Sequence, residues 1–157
     1  MDAGLRTATE EELERDWREF TGGSPVIGVL RSYEPGDVEG LIWKDTESTL
    51  RAVVAWWIDG GRAEIVSLHA EPTGSGAGTQ AMNAAEDELR RRGVTKVVLA
   101  TTNDNVRALK FYQKRGYRLV RLHLDAMDKV REIKPGVPEL GQDGIPLRDM
   151  WELEKHL

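Results

Sequence analysis

Three alternating glycines stand where the sequence changes from a strand pattern to a helix pattern. They lie between the apolar run Ile65–Leu68 and the helical spacing of Ala81–Leu89. The first N–H groups of a helix have no intrahelical partner, and glycine has no Cβ that would hold a phosphate away from them. The segment therefore predicts a site for a phosphate-bearing cofactor, with a strand-to-helix turn that binds nothing as the alternative. Its residues are Thr73, Gly74, Ser75, Gly76, Ala77, Gly78 and Thr79.

Two nucleotide-binding motifs can be compared with these glycines. A Walker A loop requires a lysine directly after its last glycine, and none is present here. A dinucleotide fingerprint fits Gly76, Gly78 and Ala81, with Asp104 as the ribose ligand. That fingerprint opens the first βαβ unit of a doubly wound sheet, whereas an antiparallel meander is predicted before these glycines. A dinucleotide-binding α/β module is therefore the weaker alternative.

A second cluster with chemical potential follows at residues 103–117. Asn105, Ala108, Leu109 and Tyr112 share one stripe of a predicted helix, with Asn105 at its N-terminal end. Taken singly, Asn105 or Asn103 would cap the helix and Tyr112 would pack in the core. Together they provide a polar anchor and a phenol on one face.

The elements that must position these residues can be predicted from periodicity and turn signals. Thr9–Phe20 is predicted to be a helix that opens with a capping box of Thr9 and Glu12. A meander follows, with the strands Val26–Tyr33, Gly40–Trp43, Leu50–Ile58 and Ala63–Ala70 and a hairpin turn at Asp59–Gly61. The remaining predicted elements are the helices Gly78–Arg92, Asn105–Arg115 and Ala126–Lys134, the loop Pro135–Pro146, and the strands Lys96–Thr102, Tyr117–Leu124 and Met150–His156.

The composition excludes several classes of protein. The chain of 157 residues is predicted to form one α+β domain over residues 1–157 and contains no cysteine, which excludes disulfides and thiolate chemistry. Met1–Glu14 lacks a signal-peptide pattern, and no apolar run reaches the ~20 residues of a membrane span, so we expect a soluble, cytoplasmic protein. The three histidines have no metal-ligand spacing, so no metal site is expected.

The charge is unevenly distributed along the chain. The net charge is −5, with acidic side chains in excess over residues 1–50 and basic ones in excess over residues 86–121. The basic side chains favour a solvated helix face or attraction of an anionic ligand. The overall acidity argues against nucleic acid as a partner.

Taken together, the two clusters resemble the GNAT superfamily of N-acetyltransferases. That family carries Gln/Arg-x-x-Gly-x-Gly/Ala after its fourth strand, followed downstream by an Asn-x2-Ala-x3-Tyr helix and Gly-Phe/Tyr. The corresponding segments here are Thr73–Gly78, then Asn105, Ala108 and Tyr112, then Gly116-Tyr117. The chain departs from the pattern at Thr73, where the family has Gln or Arg, so contact with a pyrophosphate would depend mainly on backbone N–H groups.

The resemblance implies a fold and a reaction. The implied fold is a mixed, mostly antiparallel sheet of about seven strands flanked by about four helices in α/β/α layers. The implied reaction is direct acetyl transfer from acetyl-CoA to a primary amine on a small molecule or peptide, by a monomer or homodimer that contacts neither membrane nor nucleic acid. A non-catalytic acyl-CoA sensor on the same fold is the alternative.

The resemblance also assigns roles to individual residues. Tyr112 would be the general acid that protonates the leaving thiolate, and Glu64 the base that deprotonates the amine. Glu64 is expected on the same strand face as Val66 and Leu68, although a water chain could replace it as the base. The alternative for Glu64 is an exposed carboxylate paired with Arg62 or Arg51. The N–H near Leu68 would stabilise the oxyanion, and Asn105 and Arg107 would contact the cofactor together with residues 73–79.

Overall fold

The computed structural model describes residues 4–157, so the first three residues of the N-terminal segment lie outside the described chain. Four helices are present: α1 (Glu10–Phe20), α2 (Ala77–Arg91), α3 (Val106–Lys114) and α4 (Ala126–Ile133). Short 3₁₀ turns occur at Pro35–Asp37 and Gln142–Gly144. The strands are β1 (Leu5–Thr7), β2 (Val26–Ile27), β3 (Ser32–Tyr33), β4 (Glu39–Lys44), β5 (Leu50–Asp59), β6 (Arg62–Ala70), β7 (Lys96–Thr102), β8 (Arg118–His123) and β9 (Met150–His156).

Seven of these strands form one sheet in the order β1-β4-β5-β6-β7-β9-β8, and β2 and β3 form a separate hairpin. The pairs β1–β4, β4–β5, β5–β6 and β8–β9 are all antiparallel. The predicted α+β class with about seven strands and four helices is therefore confirmed. By contact density the chain divides into two compact units, one that runs to Val97 and includes Leu157, and one that spans Val98–His156.

The first unit has helices on both faces of its antiparallel strands. On one face, α1 buries Leu13 and Trp17 against Ile42, Val53 and Ala55. Residues that alternate with these, such as Val54, point to the opposite face, where α2 packs against β4, β5 and β6. Thr9 begins α1 with the predicted capping box: its hydroxyl accepts from the N–H of Glu12, and the Glu12 carboxylate accepts from the N–H of Thr9.

A β-bulge interrupts strand β6 at Val66. Ala55 lies opposite Ser67 whereas the next residue, Trp56, lies opposite Ile65, so β6 contains one residue more than β5 in this stretch. An extra residue reverses the alternation of side chains beyond it. Glu64 and Ser67 consequently share the α1 face, and Leu68 points to the other face. The expectation that Glu64 and Leu68 share a face was therefore wrong.

In the second unit, residues 103–105 connect β7 to α3. Asn105 caps α3, since its Oδ1 accepts from the N–H of Ala108 at 3.1 Å. The strands β8 and β9 pair along their length with a register shift between Leu119 and Arg121. The predicted helix at Ala126–Lys134 and the predicted strand at Met150–His156 are confirmed.

Candidate active site

The glycine turn, residues 73–79, leads into helix α2, which has no side-chain cap. Gly76 is the N-cap residue in the left-handed conformation with φ +86°, a region that glycine adopts without strain. The first intrahelical bond runs from the N–H of Gln80 to the carbonyl of Gly76 at 3.1 Å. Within the described chain, the N–H groups of Gly78 and Thr79 have no hydrogen-bond partner, and only a long contact of 3.4 Å joins the N–H of Ala77 to Ser75 Oγ.

This arrangement differs from that of α1 and α3, whereas α4 also begins without a side-chain cap. Thr9 caps α1 and Asn105 caps α3 with side-chain oxygens, whereas the first turn of α2 keeps its donors free. Residues 73–76 are exposed, and a Cβ built on Gly76 would meet nothing within 4 Å. Free N–H groups at an exposed helix N-terminus carry partial positive charge and suit an anionic group.

Glu64 is buried, with 1% of its surface exposed. Its carboxylate accepts hydrogen bonds from the N–H of Val29 at 2.5 Å, from the N–H of Leu30 at 3.0 Å and from the hydroxyl of Tyr33 at 2.6 Å. The expected alternative, an exposed carboxylate paired with Arg62 or Arg51, is wrong, because Arg62 pairs with Asp59 and Arg51 with Asp45. Glu64 thus joins strand β6 to the β2–β3 hairpin.

Leu68 lies beyond the bulge, opposite Val54, and its side chain is half-buried. Its place two residues after Val66 puts it on the part of β6 whose backbone geometry the bulge alters. Its predicted role as an oxyanion donor belongs to its backbone N–H and does not depend on the direction of its side chain.

Tyr112 lies on α3 in the second unit and is 9% exposed. Its ring makes edge contacts with Phe111 and Tyr117 at centroid distances of 5.2 and 5.6 Å. Burial raises the pKa of the Tyr112 phenol above its ordinary value, although Arg115 lowers it in part. No protein group of the described residues hydrogen-bonds to its hydroxyl.

Asn105 and Arg107 occupy the first turn of α3. The side-chain oxygen of Asn105 is used as the helix cap, which is the role expected of it when taken singly. Arg107 is exposed, and it forms no ion pair with any residue in 4–157. By contrast, Arg90, Arg91 and Arg92 at the end of α2 pair with Asp87, Glu88 and Glu39.

Two residues of this region hold a loop that the motif did not predict. Asn103 donates from Nδ2 to the carbonyl of Pro146 at 2.9 Å, and its Oδ1 accepts from the N–H groups of Arg148 and Asp149. Asp104 is 6% exposed and accepts from Thr102 Oγ1 and from the N–H of Gln142. These contacts occupy the Asp104 carboxylate that the dinucleotide hypothesis required for a ribose. The polar pair directly before Asn105 was the only sequence signal for this role.

Two other kinds of site have no candidate among the described residues. In the part of the chain described here, no group of three His, Asp or Glu side chains could hold a metal ion. None of the helices between residues 4 and 157 has the length and apolar character needed to cross a membrane.

Comparison with known proteins identifies the class. A family model described as the acetyltransferase (GNAT) family matches residues 6–117. The uncharacterised protein YxbD of Bacillus subtilis is 35% identical over 136 residues, which cover 86% of each chain. Because the family model spans well over half of the sequence, the chain belongs to the GNAT acetyltransferase family.

Solved structures show the same fold. An IAA acetyltransferase from Bacillus cereus superposes with a TM-score of 0.77 at 20% identity and covers 98% of both chains. A Bacillus subtilis acetyltransferase in complex with CoA superposes with a TM-score of 0.67 at 22% identity over 78% of both chains. At these identities the likeness concerns the fold alone.

Proposed function

We propose that the protein transfers the acetyl group of acetyl-CoA directly to a primary amine in a ternary complex. Family membership supports this class of reaction. The observation that carries the proposal is the exposed, uncapped first turn of α2, because its free N–H groups match the pyrophosphate of CoA. The fold is also that of an acetyltransferase that binds CoA.

In this proposal residues 73–79 bind the pyrophosphate mainly through backbone N–H groups. Thr73 carries no charge where the family signature has Gln or Arg, so the helix dipole and the N–H groups of Gly78 and Thr79 supply the attraction. Arg107 adds a positive charge that no acidic side chain among the described residues neutralises, and Asn105 contacts the pantetheine arm.

The reaction forms a C–N bond and breaks a C–S bond. The nitrogen of the neutral amine attacks the thioester carbonyl, and the backbone N–H near Leu68 stabilises the negative oxygen of the tetrahedral intermediate. Collapse of the intermediate breaks the C–S bond and expels the CoA thiolate, while the nitrogen loses its second proton to water to give the neutral amide. An alkyl ammonium has a pKa of about 10.4, so the amine must lose a proton before it attacks, either to a side chain or to water.

Tyr112 donates the proton that the leaving thiolate accepts. Its buried phenol has a raised pKa and therefore remains protonated at neutral pH. Its hydroxyl has no protein acceptor among residues 4–157, so donation to the sulfur breaks no existing hydrogen bond. The free hydroxyl supports the role of general acid, whereas the raised pKa keeps the phenol protonated but makes it a weaker acid.

The acceptor is an amine on a small molecule or a peptide, and the protein acts as a monomer or homodimer. The excess of acidic side chains over residues 4–50 favours a cationic acceptor through electrostatic steering.

Thermal-shift measurements with acetyl-CoA, NAD and ATP test the cofactor. We expect acetyl-CoA to raise the melting temperature and NAD and ATP to leave it nearly unchanged, since a ligand stabilises the folded state only by binding it. An equal shift with acetyl-CoA and NAD would contradict the proposal. Thiol release across a panel of amines then distinguishes an enzyme from a sensor that binds acetyl-CoA without turnover.

A further inference from the structure

We propose that Glu64 is a positioning residue that fixes the turn Gly28–Arg31 to strand β6, and that it does not take the proton from the amine. This inference rests on the proposed acetyl transfer, in which Glu64 would affect binding of the acceptor by holding the turn in place. It replaces the base role that the position of Glu64 on its strand suggested.

The first observation is the set of donors around the carboxylate. The N–H groups of Val29 and Leu30 are consecutive and lie at the tip of the β2–β3 hairpin, and both donate to Glu64. Consecutive backbone N–H groups that converge on one anion form a binding concavity for negative charge. The carboxylate of Glu64 thus occupies the anion-binding position of the turn. It lies 35 residues after Val29 and 34 residues after Leu30 in the sequence.

The second observation is how closely the turn approaches that carboxylate. A Cβ built on Gly28 would lie 2.6 and 2.7 Å from the two Glu64 oxygens and 2.7 Å from a ring carbon of Tyr33. The turn itself is closed by a hydrogen bond of 2.9 Å from the N–H of Gly28 to the carbonyl of Arg31. Only glycine fits at residue 28 with Glu64 in this position, so the turn and the carboxylate are matched in shape.

The hydrogen bonds also leave Glu64 poorly suited to accept a proton. A carboxylate has about four lone-pair positions, and three are taken by Val29, Leu30 and Tyr33. Oε1 accepts from both Leu30 and Tyr33, so a proton arriving there would displace one of these donors and leave a buried N–H or O–H unpaired. Since only 1% of Glu64 is exposed, water has little access to relay that proton.

The turn that Glu64 holds carries a guanidinium beside two aromatic rings. The guanidinium of Arg31 lies over the rings of Tyr33 and Trp57 at 5.4 and 5.3 Å and pairs with Asp37 at 3.4 Å. Glu64 precedes Leu68 by four residues, about 13 Å along an extended strand. The turn is therefore fixed to the strand that is proposed to hold the thioester.

Amide hydrogen exchange tests the anchoring without any substrate. In Glu64→Gln, an NH₂ group replaces one of the two acceptor oxygens and faces either Val29 or Leu30, so the two consecutive N–H groups no longer converge on one anion. We expect the amides of Val29 and Leu30 to exchange at least ~10-fold faster than in the wild type, with exchange in β4 and β5 unchanged. Unchanged exchange at Val29 and Leu30 would overturn the proposal.

Asp45→Ala is the control, because asparagine would keep the Oδ1 that both turn donors use. Asp45 also accepts from two backbone N–H groups of a turn, those of Glu47 and Thr49, but on a different loop. Its substitution should accelerate exchange in residues 47–49 only and leave the amides of the Gly28–Arg31 turn as they were.

The pH dependence of turnover separates positioning from proton transfer. With an amine that the wild type acetylates, Glu64→Gln should raise the KM for the amine ~10-fold and lower kcat less, with the pH profile keeping its shape. Tyr33→Phe removes one donor and keeps the carboxylate, and it should also raise KM with the profile unmoved. If Glu64 were the base, Glu64→Gln would abolish the acid limb of the profile, and Tyr33→Phe would shift that limb to higher pH.

Acetyl transfer and the positioning role of Glu64 are tested by different results. If no amine releases thiol from acetyl-CoA with the wild type, the proposed function fails, and the exchange measurement still decides whether Glu64 anchors the turn. If amines are acetylated and the acid limb disappears in Glu64→Gln, the proposed function stands and the positioning role is wrong.

Discussion

Asn103 and Asp149 are joined by a reciprocal pair of hydrogen bonds. The N–H of Asn103 donates to the carbonyl of Asp149 at 2.9 Å, and the N–H of Asp149 donates to Oδ1 of Asn103 at 2.9 Å. The same side chain holds Pro146 and Arg148, so one asparagine at the end of β7 orders residues 146–149 directly before the start of β9.

Replacing Asn103 should destabilise the second unit. Asn103→Ala removes three side-chain hydrogen bonds and leaves partly buried backbone groups unpaired, so we expect a loss of about 2–3 kcal/mol in the free energy of unfolding. Asn103→Asp keeps both acceptor bonds and loses only the donor to Pro146, so it should lose less. Urea unfolding of both variants measures the order, and a larger loss for Asn103→Asp would contradict it.

Tyr112→Phe should slow acetyl transfer and leave acetyl-CoA binding nearly unchanged. The substitution keeps the ring contacts with Phe111 and Tyr117 and removes only the hydroxyl, so the thiolate must find its proton elsewhere. We expect kcat to fall by ~10²-fold. Tyr117→Phe, which removes the hydroxyl of the neighbouring buried tyrosine, is the control and should keep most of the rate. Equal rates in the wild type and Tyr112→Phe would remove Tyr112 from the mechanism.

Gly76→Ala should weaken acetyl-CoA binding beyond its effect on stability. A Cβ at φ +86° costs about 1 kcal/mol and stands at the entrance to the free N–H groups of α2. Gly60→Ala is a matched control, because Gly60 also has a positive φ with nothing within 4 Å of a built Cβ. Both variants should melt at lower temperature, and calorimetric titration should show weaker binding, by ~10-fold, for Gly76→Ala alone.

Asp16→Asn should stabilise the protein above neutral pH. Asp16 is 4% exposed, and neither of its oxygens has a hydrogen-bond partner in residues 4–157. Burial, with a smaller effect of Glu19, raises the pKa of Asp16 from 3.8 to about 7. Between pH 3.8 and about 7, Asp16 is therefore protonated in the folded state and ionised in the unfolded state. The free energy of unfolding consequently falls as the pH rises from about 4 to 7.

Asp16→Asn carries no charge at this position, so its free energy of unfolding should not fall between pH 4 and 7 for this reason. We expect Asp16→Asn to exceed the wild type by about 1–3 kcal/mol at pH 8 and to match it near pH 4. Urea unfolding at pH 4, 6 and 8 gives the comparison. A difference between the two proteins that does not vary with pH would show that Asp16 does not titrate in this window.

Local signals in the sequence were sufficient for most elements of the fold. The capping box of Thr9 and Glu12, the turn at Asp59–Gly61 and the cap at Asn105 each depend on neighbours within a few residues, and all three were predicted correctly. Strand β1 was not predicted because three residues are too short for a periodic pattern. The predicted strand Val26–Tyr33 is instead a hairpin closed at Gly28 and Arg31.

The environment of Glu64 could not be predicted from the sequence. The alternation of Glu64, Val66 and Leu68 is compatible with a regular strand, and only the pairing with β5 reveals the bulge. The donors of the Glu64 carboxylate lie more than 30 residues away, in a turn whose approach depends on tertiary packing. The motif therefore indicated the family and the glycine turn, whereas the bonding of its candidate base emerged only in the folded chain.

Thiol release from acetyl-CoA, followed with a panel of primary amines and with mass analysis of the products, tests acetyl transfer most directly. We predict release that depends on at least one amine, a product heavier by one acetyl group, and a rate reduced ~10²-fold in Tyr112→Phe. Binding of acetyl-CoA with no amine-dependent release above spontaneous hydrolysis would contradict the proposed enzyme.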